Sequence, residues 1–187
     1  MHNLPNLLTA LRLVAGLAIV PLIVWPGGAL WGTALILFVL AALTDWIDGA
    51  LARRFDAESA LGRLLDPLAD KIAMLGALTG LALGGVIAGG HGIAMVAILA
   101  REIMISGARD FLAQNGHALP VSPLSKWKTA AQLAAAALLL GGAAISGPAI
   151  HTLGLIVLWA AAALSVWTGL DYGRTVWRVA TKRENAP

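Results

Sequence analysis

Asp45, Asp48, Asp66 and Asp70 are four of the five aspartates within residues 45–70 of a chain that is 59% hydrophobic and only 12% charged. An ionised carboxylate is costly in or near a bilayer. Several together persist only if something positive holds them, most simply a divalent metal. The spacing suits that use. A helix turns about 100° per residue, so Asp48, Gly49 and Ala52 lie within about 60° of Asp45 around one helix. Gly62, Asp66 and Asp70 recur every four residues and share a face of the next. Helices joined by a short connection are neighbours, so the two acidic faces can meet. An all-oxygen donor set suits Mg²⁺, Mn²⁺ or Ca²⁺. The small residues Gly49, Ala52 and Gly62 leave room for a bulky ligand beside the carboxylates, and Arg53 is placed to meet a phosphate. The chemistry indicated is metal-assisted and takes place at a membrane surface. Two other readings use the same residues: solvated helix ends at the interface, and a cation or proton pathway. The first makes a coincidence of four carboxylates beside small residues. The second gives the small residues and Arg53 no role.

The elements that must position these groups follow from hydropathy. Apolar runs repeat along the whole length, which predicts an all-α, polytopic membrane protein. Six spans are expected, over about 7–25, 30–53, 60–83, 93–112, 128–144 and 150–170. The second would be roughly 36 Å long at about 1.5 Å per residue, more than the hydrocarbon core, so its acidic end reaches the interface. The first, third and fifth connections contain no lysine or arginine. The second holds or borders Arg53, Arg54 and Arg63, the fourth has Lys126 and Lys128, and the tail has Arg174, Arg178, Lys182 and Arg183. The positive-inside rule then predicts both termini and the aspartate stretch on the cytoplasmic side. The 187 residues suit a single domain, 1–187. There is no cysteine, which excludes disulfides and thiolate metal sites. His2, His91, His117 and His151 are scattered in loops and form no metal set. No basic run interleaved with polar residues is present, so nucleic acid is not an expected partner. Trp25, Trp31, Trp127 and Trp177 fall near span ends, as interfacial anchors do.

The run Asp45-x2-Asp48-Gly49-x2-Ala52-Arg53-x8-Gly62-x3-Asp66-x3-Asp70 resembles the signature of the CDP-alcohol phosphatidyltransferase family at every specified position. The resemblance implies a six-span membrane domain. Its reaction is transfer of a phosphatidyl group from CDP-diacylglycerol to an alcohol, with release of CMP. It implies two Mg²⁺ or Mn²⁺ ions held by Asp45, Asp48, Asp66 and Asp70, with Asp70 less committed to metal and acting as general base. It implies CDP-lipid contacts at Asp48, Gly49, Ala52, Arg53 and Gly62, and a homodimer. Asn6 and Thr9, with Arg12, recur every three residues near the start of the first helix. They either line the nucleotide site or, for Asn6 and Thr9, cap the helix start.

The alcohol is a separate question. The fourth span carries Arg101-Glu102-x3-Ser106-x2-Arg109, and Lys126 and Lys128 follow on the same side. Cations inside spans need an anion, so an acceptor bearing a phosphate would account for Arg101, Arg109 and Lys126 together. Pairing with Glu102, Asp110 or Asp171, or snorkelling to headgroups, would account for them singly. The segments NLPNLLTALRL, LDPLADK, RExxxSxxR and SKWKTAAQ, within residues 3–132, resemble a bacterial branch of the same family. That branch uses sn-glycerol 3-phosphate and makes phosphatidylglycerol phosphate in the bacterial cytoplasmic membrane. Inositol phosphate or serine as acceptor, and a cation or proton transporter, are the alternatives.

Overall fold

The computed structural model describes the backbone of residues 3–55, 60–114, 116 and 123–184, and the side chains of residues 10–44, 68–69, 71–114, 116 and 124–177. The described residues form six α-helices and no strand. They are α1 (Asn3–Val24), α2 (Trp31–Phe55), α3 (Ala60–Leu83), α4 (His91–Gln114), α5 (Pro123–Ala144) and α6 (Pro148–Glu184), with a 3-10 turn at Pro26–Gly28. Alanine and leucine supply the helix propensity. Proline opens α5 and α6 at their first residue, where its missing N–H costs nothing. Helix α5 therefore starts before its apolar run does. Helix α6 continues past the expected end of the last span and carries the basic tail as helix.

Two connections end helices tightly. Gly85 adopts φ 76°, and Val86 N–H donates back to Leu81 C=O at 2.9 Å, a Schellman close that only a left-handed residue permits. Ser146 (φ 52°) does the same after α5, with Gly147 N–H donating to Gly142 C=O at 2.9 Å. Between α1 and α2, Trp31 Nε1 donates to Ile23 C=O at 2.8 Å and pins the turn.

The helices close into a ring in which α3 lies between α1 and α4, α6 between α4 and α5, and α2 between α5 and α1. Missing side chains bring α1 and α3 together. A Cβ on Gly16 would lie 2.8 Å from Ala73 Cα, and one on Gly76 would run into the Gly16 carbonyl oxygen. Helices α5 and α6 use the same device at Gly142, whose Cβ would meet His151 N at 2.7 Å, and at Gly154 against Leu139. Small residues at membrane helix contacts allow this close backbone approach.

The bundle has two unlike halves. Ile19, Ile23, Phe38, Leu78, Leu81, Ile98, Leu139, Leu140 and Leu158 fill one half and are all but completely buried. In this half the helix segments carry no Asp, Glu, Lys or Arg. The buried polar side chains, Arg12, Arg101, Ser125, Lys128, Gln132, Ser165 and Thr168, all lie in the other half. That half contains the end of α2 and the start of α3, where residues 45–70 fall. Large apolar side chains such as Val14, Ile36, Leu83, Ile93 and Leu170 point outward and are exposed. Helices α4 and α6, the latter over Pro148–Trp177, are long and apolar enough to cross a membrane; the apolar runs Ala10–Val24, Trp31–Thr44 and Lys71–Leu83 are shorter.

Candidate active site

The aspartates sit on continuous helix. Positions 45, 48, 49, 52 and 53 occupy the last turns of α2, and 62, 66 and 70 the first turns of α3. The side chains of Asp45, Asp48, Ala52, Arg53, Asp66 and Asp70, with Gly49 and Gly62, lie outside the described side chains, as do those of Asn6 and Thr9. Four carboxylates on two helices whose near ends are four residues apart are a donor set that fits a pair of hard divalent ions. The described residues by themselves hold no cluster of metal-ligating side chains.

The described part of the polar half is built around Glu102. Its Oε1 accepts from Lys128 Nζ, from Gln132 Nε2 at 3.2 Å and, more distantly, from Arg101 Nη1 at 3.4 Å. Gln132 Nε2 also donates to Ser165 Oγ at 3.0 Å, so α4, α5 and α6 are tied through one side chain. The Arg101 guanidinium lies over the Tyr172 ring, 5.6 Å from its centroid, and Tyr172 is held by Ser125 at 3.0 Å between the hydroxyls. One helix over, Lys71, next in sequence to Asp70, donates to Ser106 Oγ on α4. Lys128 and Arg101 are 3% and 7% exposed, so both cations are held away from water. Glu102 is the one carboxylate among the described residues that pairs with them. The cluster thus carries two buried cations on one anion, with Lys71 adding a third positive group nearby. Arg101 Nε and Nη2 have no hydrogen-bond partner among the described residues.

The three cations expected at the acceptor phosphate are therefore not equivalent. Arg101 is in the cluster; Arg109 and Lys126 are exposed, and neither forms an ion pair among the described residues. Asp110 and Asp171, offered by sequence as partners, are exposed and pair with none of them among the described residues. Gln132, Ser165 and Tyr172 join the site without having been picked out for it by sequence, and Lys128, named there beside Lys126, was not assigned to the acceptor phosphate. Their signal was faint: polar residues on the inward face of helices otherwise made of alanine and leucine.

Comparison with known proteins agrees with the motif. The CDP-alcohol phosphatidyltransferase profile matches residues 2–167. A Cereibacter sphaeroides protein named CDP-diacylglycerol–glycerol-3-phosphate 3-phosphatidyltransferase is 37% identical, over 92% of this chain and 94% of that one. A Rickettsia typhi protein of the same name is 38% identical, over 92% and 96%. A rice protein (Oryza sativa subsp. japonica) named cardiolipin synthase (CMP-forming) is 33% identical, over 96% of this chain and 59% of its own length. With the signature on α2 and α3 and the profile covering most of its length, the chain is a membrane transferase and belongs to the CDP-alcohol phosphatidyltransferase family.

Proposed function

We propose that this chain transfers the phosphatidyl group of CDP-diacylglycerol to sn-glycerol 3-phosphate, giving phosphatidylglycerol phosphate and CMP. The observation that carries the acceptor is the surplus of buried positive charge among the described residues: there Arg101 and Lys128 share Glu102 as their one anion. A bound phosphate monoester would supply the missing anion, and charge-assisted contacts to it are strong in a site shielded from water. Arg109 and Lys126, at the exposed end of the same face, would draw the acceptor in. The names carried by the 37–38% identical relatives agree with this acceptor.

Asp45, Asp48, Asp66 and Asp70 would hold two Mg²⁺ or Mn²⁺ ions. When bound, such ions offset the charge of the pyrophosphate and of the leaving CMP. The chain's own groups do the rest. Gly49, Ala52 and Gly62 give the cytidine nucleotide access to the helix backbones, with Arg53 at its phosphates and Asn6 and Thr9 at its edge. Asp70 takes the proton of the acceptor hydroxyl. That oxygen attacks the phosphatidyl phosphorus, the bond to the CMP oxygen breaks, and alignment of the two substrates supplies most of the rate.

In the membrane, the reading is six spans in one domain, 1–187, with both termini and the site on the cytoplasmic side of a bacterial inner membrane, and two copies per enzyme. The test is CMP release by purified protein given CDP-diacylglycerol, Mg²⁺ or Mn²⁺, and one acceptor at a time: glycerol 3-phosphate, inositol phosphate, serine or phosphatidylglycerol. Release with glycerol 3-phosphate alone is expected. Release with another acceptor and not with glycerol 3-phosphate overturns the acceptor, and release with none overturns the reaction.

A further inference from the structure

Helices α4 and α6 run parallel and in register. Trp159 Nε1 on α6 donates to His91 Nδ1 on α4 at 3.1 Å, a sequence separation of 68. Gly169 meets Arg101 at the same separation, a Cβ there lying 3.1 Å from Arg101 Cγ. On the outer side of this line of contact the two helices leave space between them. Ala97 and Ala100 on one side, and Gly169 and Gly173 on the other, are too small to fill the gap. A groove of about 570 Å³ remains, open toward the outside of the bundle, where Met104 and Trp177 stand 72% exposed. That volume is in the range of about 300–1,000 Å³ usual for small-molecule sites.

Among the described residues the charges on the groove are of one sign: Arg101 and Arg174 line it, and no carboxylate does. Arg101 is only 7% exposed, and its Nε and Nη2 donors have no hydrogen-bond partner among the described residues, while Nη1 is turned to Glu102. Arg174 lies five residues further along α6, toward the end where the basic tail begins. The remaining lining is apolar, and Trp177 closes the end of the groove nearest that tail.

We propose that this groove binds an anionic phospholipid from the surrounding bilayer, its phosphate between Arg174 and Arg101 and an acyl chain along Ala97, Ala100 and Val166. An apolar trough flanked by guanidinium groups and ending in a tryptophan matches that ligand part for part: chain, phosphate, interfacial headgroup. A soluble phosphate would leave the trough unfilled. The proposal shares Arg101 with the acceptor reading and goes beyond it in needing a second phosphate and in using Arg174, which that reading does not. It can be tested without donor, metal or turnover, and Arg174→Gln separates the two, since the acceptor reading leaves Arg174 without a role.

The experiment uses the purified full-length protein in an uncharged detergent. It is titrated with phosphatidylglycerol or phosphatidylcholine carrying brominated chains, and Trp177 quenching is taken as the difference between wild type and Trp177→Phe. The expected result is saturable quenching at about tenfold lower phosphatidylglycerol than phosphatidylcholine, the scale of one charge-assisted hydrogen bond. Arg174→Gln should erase that preference, and Ala100→Phe, which fills the trough, should erase the quenching itself. Equal quenching by both lipids overturns the proposal. So does displacement of the lipid by glycerol 3-phosphate, which would make the site a soluble-phosphate site. The chain has no cysteine, so Met104→Cys provides a single thiol. If it crosslinks between copies and lipid is excluded, the groove is an interface between copies and the proposal falls.

Discussion

Replacing Gly16 with alanine is expected to damage the site from a distance. The new Cβ would sit 2.8 Å from Ala73 Cα and 2.9 Å from Ala73 N. Carbon atoms in contact settle at about 3.5–4.0 Å, so α1 and α3 must part by about 0.7–1.2 Å at this level. Neither neighbour can yield by rotating a side chain, because the clash is with backbone. Overpacking of this kind costs about 1–3 kcal/mol. At about 2–4 °C per kcal/mol for a chain of this size, the melting temperature should fall by roughly 2–12 °C. Ala73 is three residues beyond Asp70 on the same helix, so the displacement reaches the acidic face. A misplacement of about 1 Å at a reacting group can cost on the order of 100-fold in rate. Gly76→Ala should behave alike, since its Cβ meets the Gly16 carbonyl. Gly32→Ala and Gly92→Ala are the controls: both point into open space, and alanine there should leave turnover intact and stability equal or slightly higher. The assays are tryptophan-fluorescence melting in detergent and CMP release. Wild-type melting and turnover in Gly16→Ala would show that the α1–α3 approach does not position the acidic helix.

Three further outcomes are expected. Asp70→Asn should abolish turnover while binding of CDP-lipid in the presence of metal persists; near-normal CMP release would remove Asp70 as the base. Glu102→Gln strands Lys128, which is buried, a loss of about 3–5 kcal/mol; adding Lys128→Met should recover the melting temperature but not turnover, and recovery of both would make the pair structural only. Lys128→Ala should raise the KM for glycerol 3-phosphate more than Lys126→Ala does, because Lys126 is exposed and screened; the reverse order would put the acceptor phosphate at the exposed start of α5.

The acidic motif could be found in the sequence because its information is local: positions three or four apart on one helix need no knowledge of the fold. Helix existence was legible for the same reason, since each long apolar run is bounded by glycine, proline or charge. Helix ends were less so. Lys126 and Lys128 interrupt the apolar run of α5, yet Pro123 starts the helix before them. The tail of α6 reads as polar, yet nothing in it breaks a helix. The Glu102 cluster was not legible, because α4, α5 and α6 meet there from residues 26 to 33 apart. Which helices adjoin is decided by shape, through contacts such as Gly16 on Ala73 and Gly142 on His151. A lone glutamate after an arginine gives no hint that Lys128 and Gln132 will arrive beside it.

The division of the bundle into a polar half and an apolar half has a consequence for the cell rather than for the reaction. A site that admits charged, water-borne molecules into a membrane is a hazard, because a wet cavity that reached both faces would short-circuit the ion gradient. Ile19, Ile23, Phe38, Leu78, Leu81, Leu139, Leu140 and Leu158 fill the half of the bundle away from the polar cluster and are all but completely buried. Water and ions entering from the polar side meet a stopper of hydrocarbon with no carboxylate or amine to step onto. The same stopper speaks against ion conduction by the aspartates. A membrane that holds many copies of this protein should stay electrically tight, and polar substitution at Leu78 or Leu140 should make it leak protons.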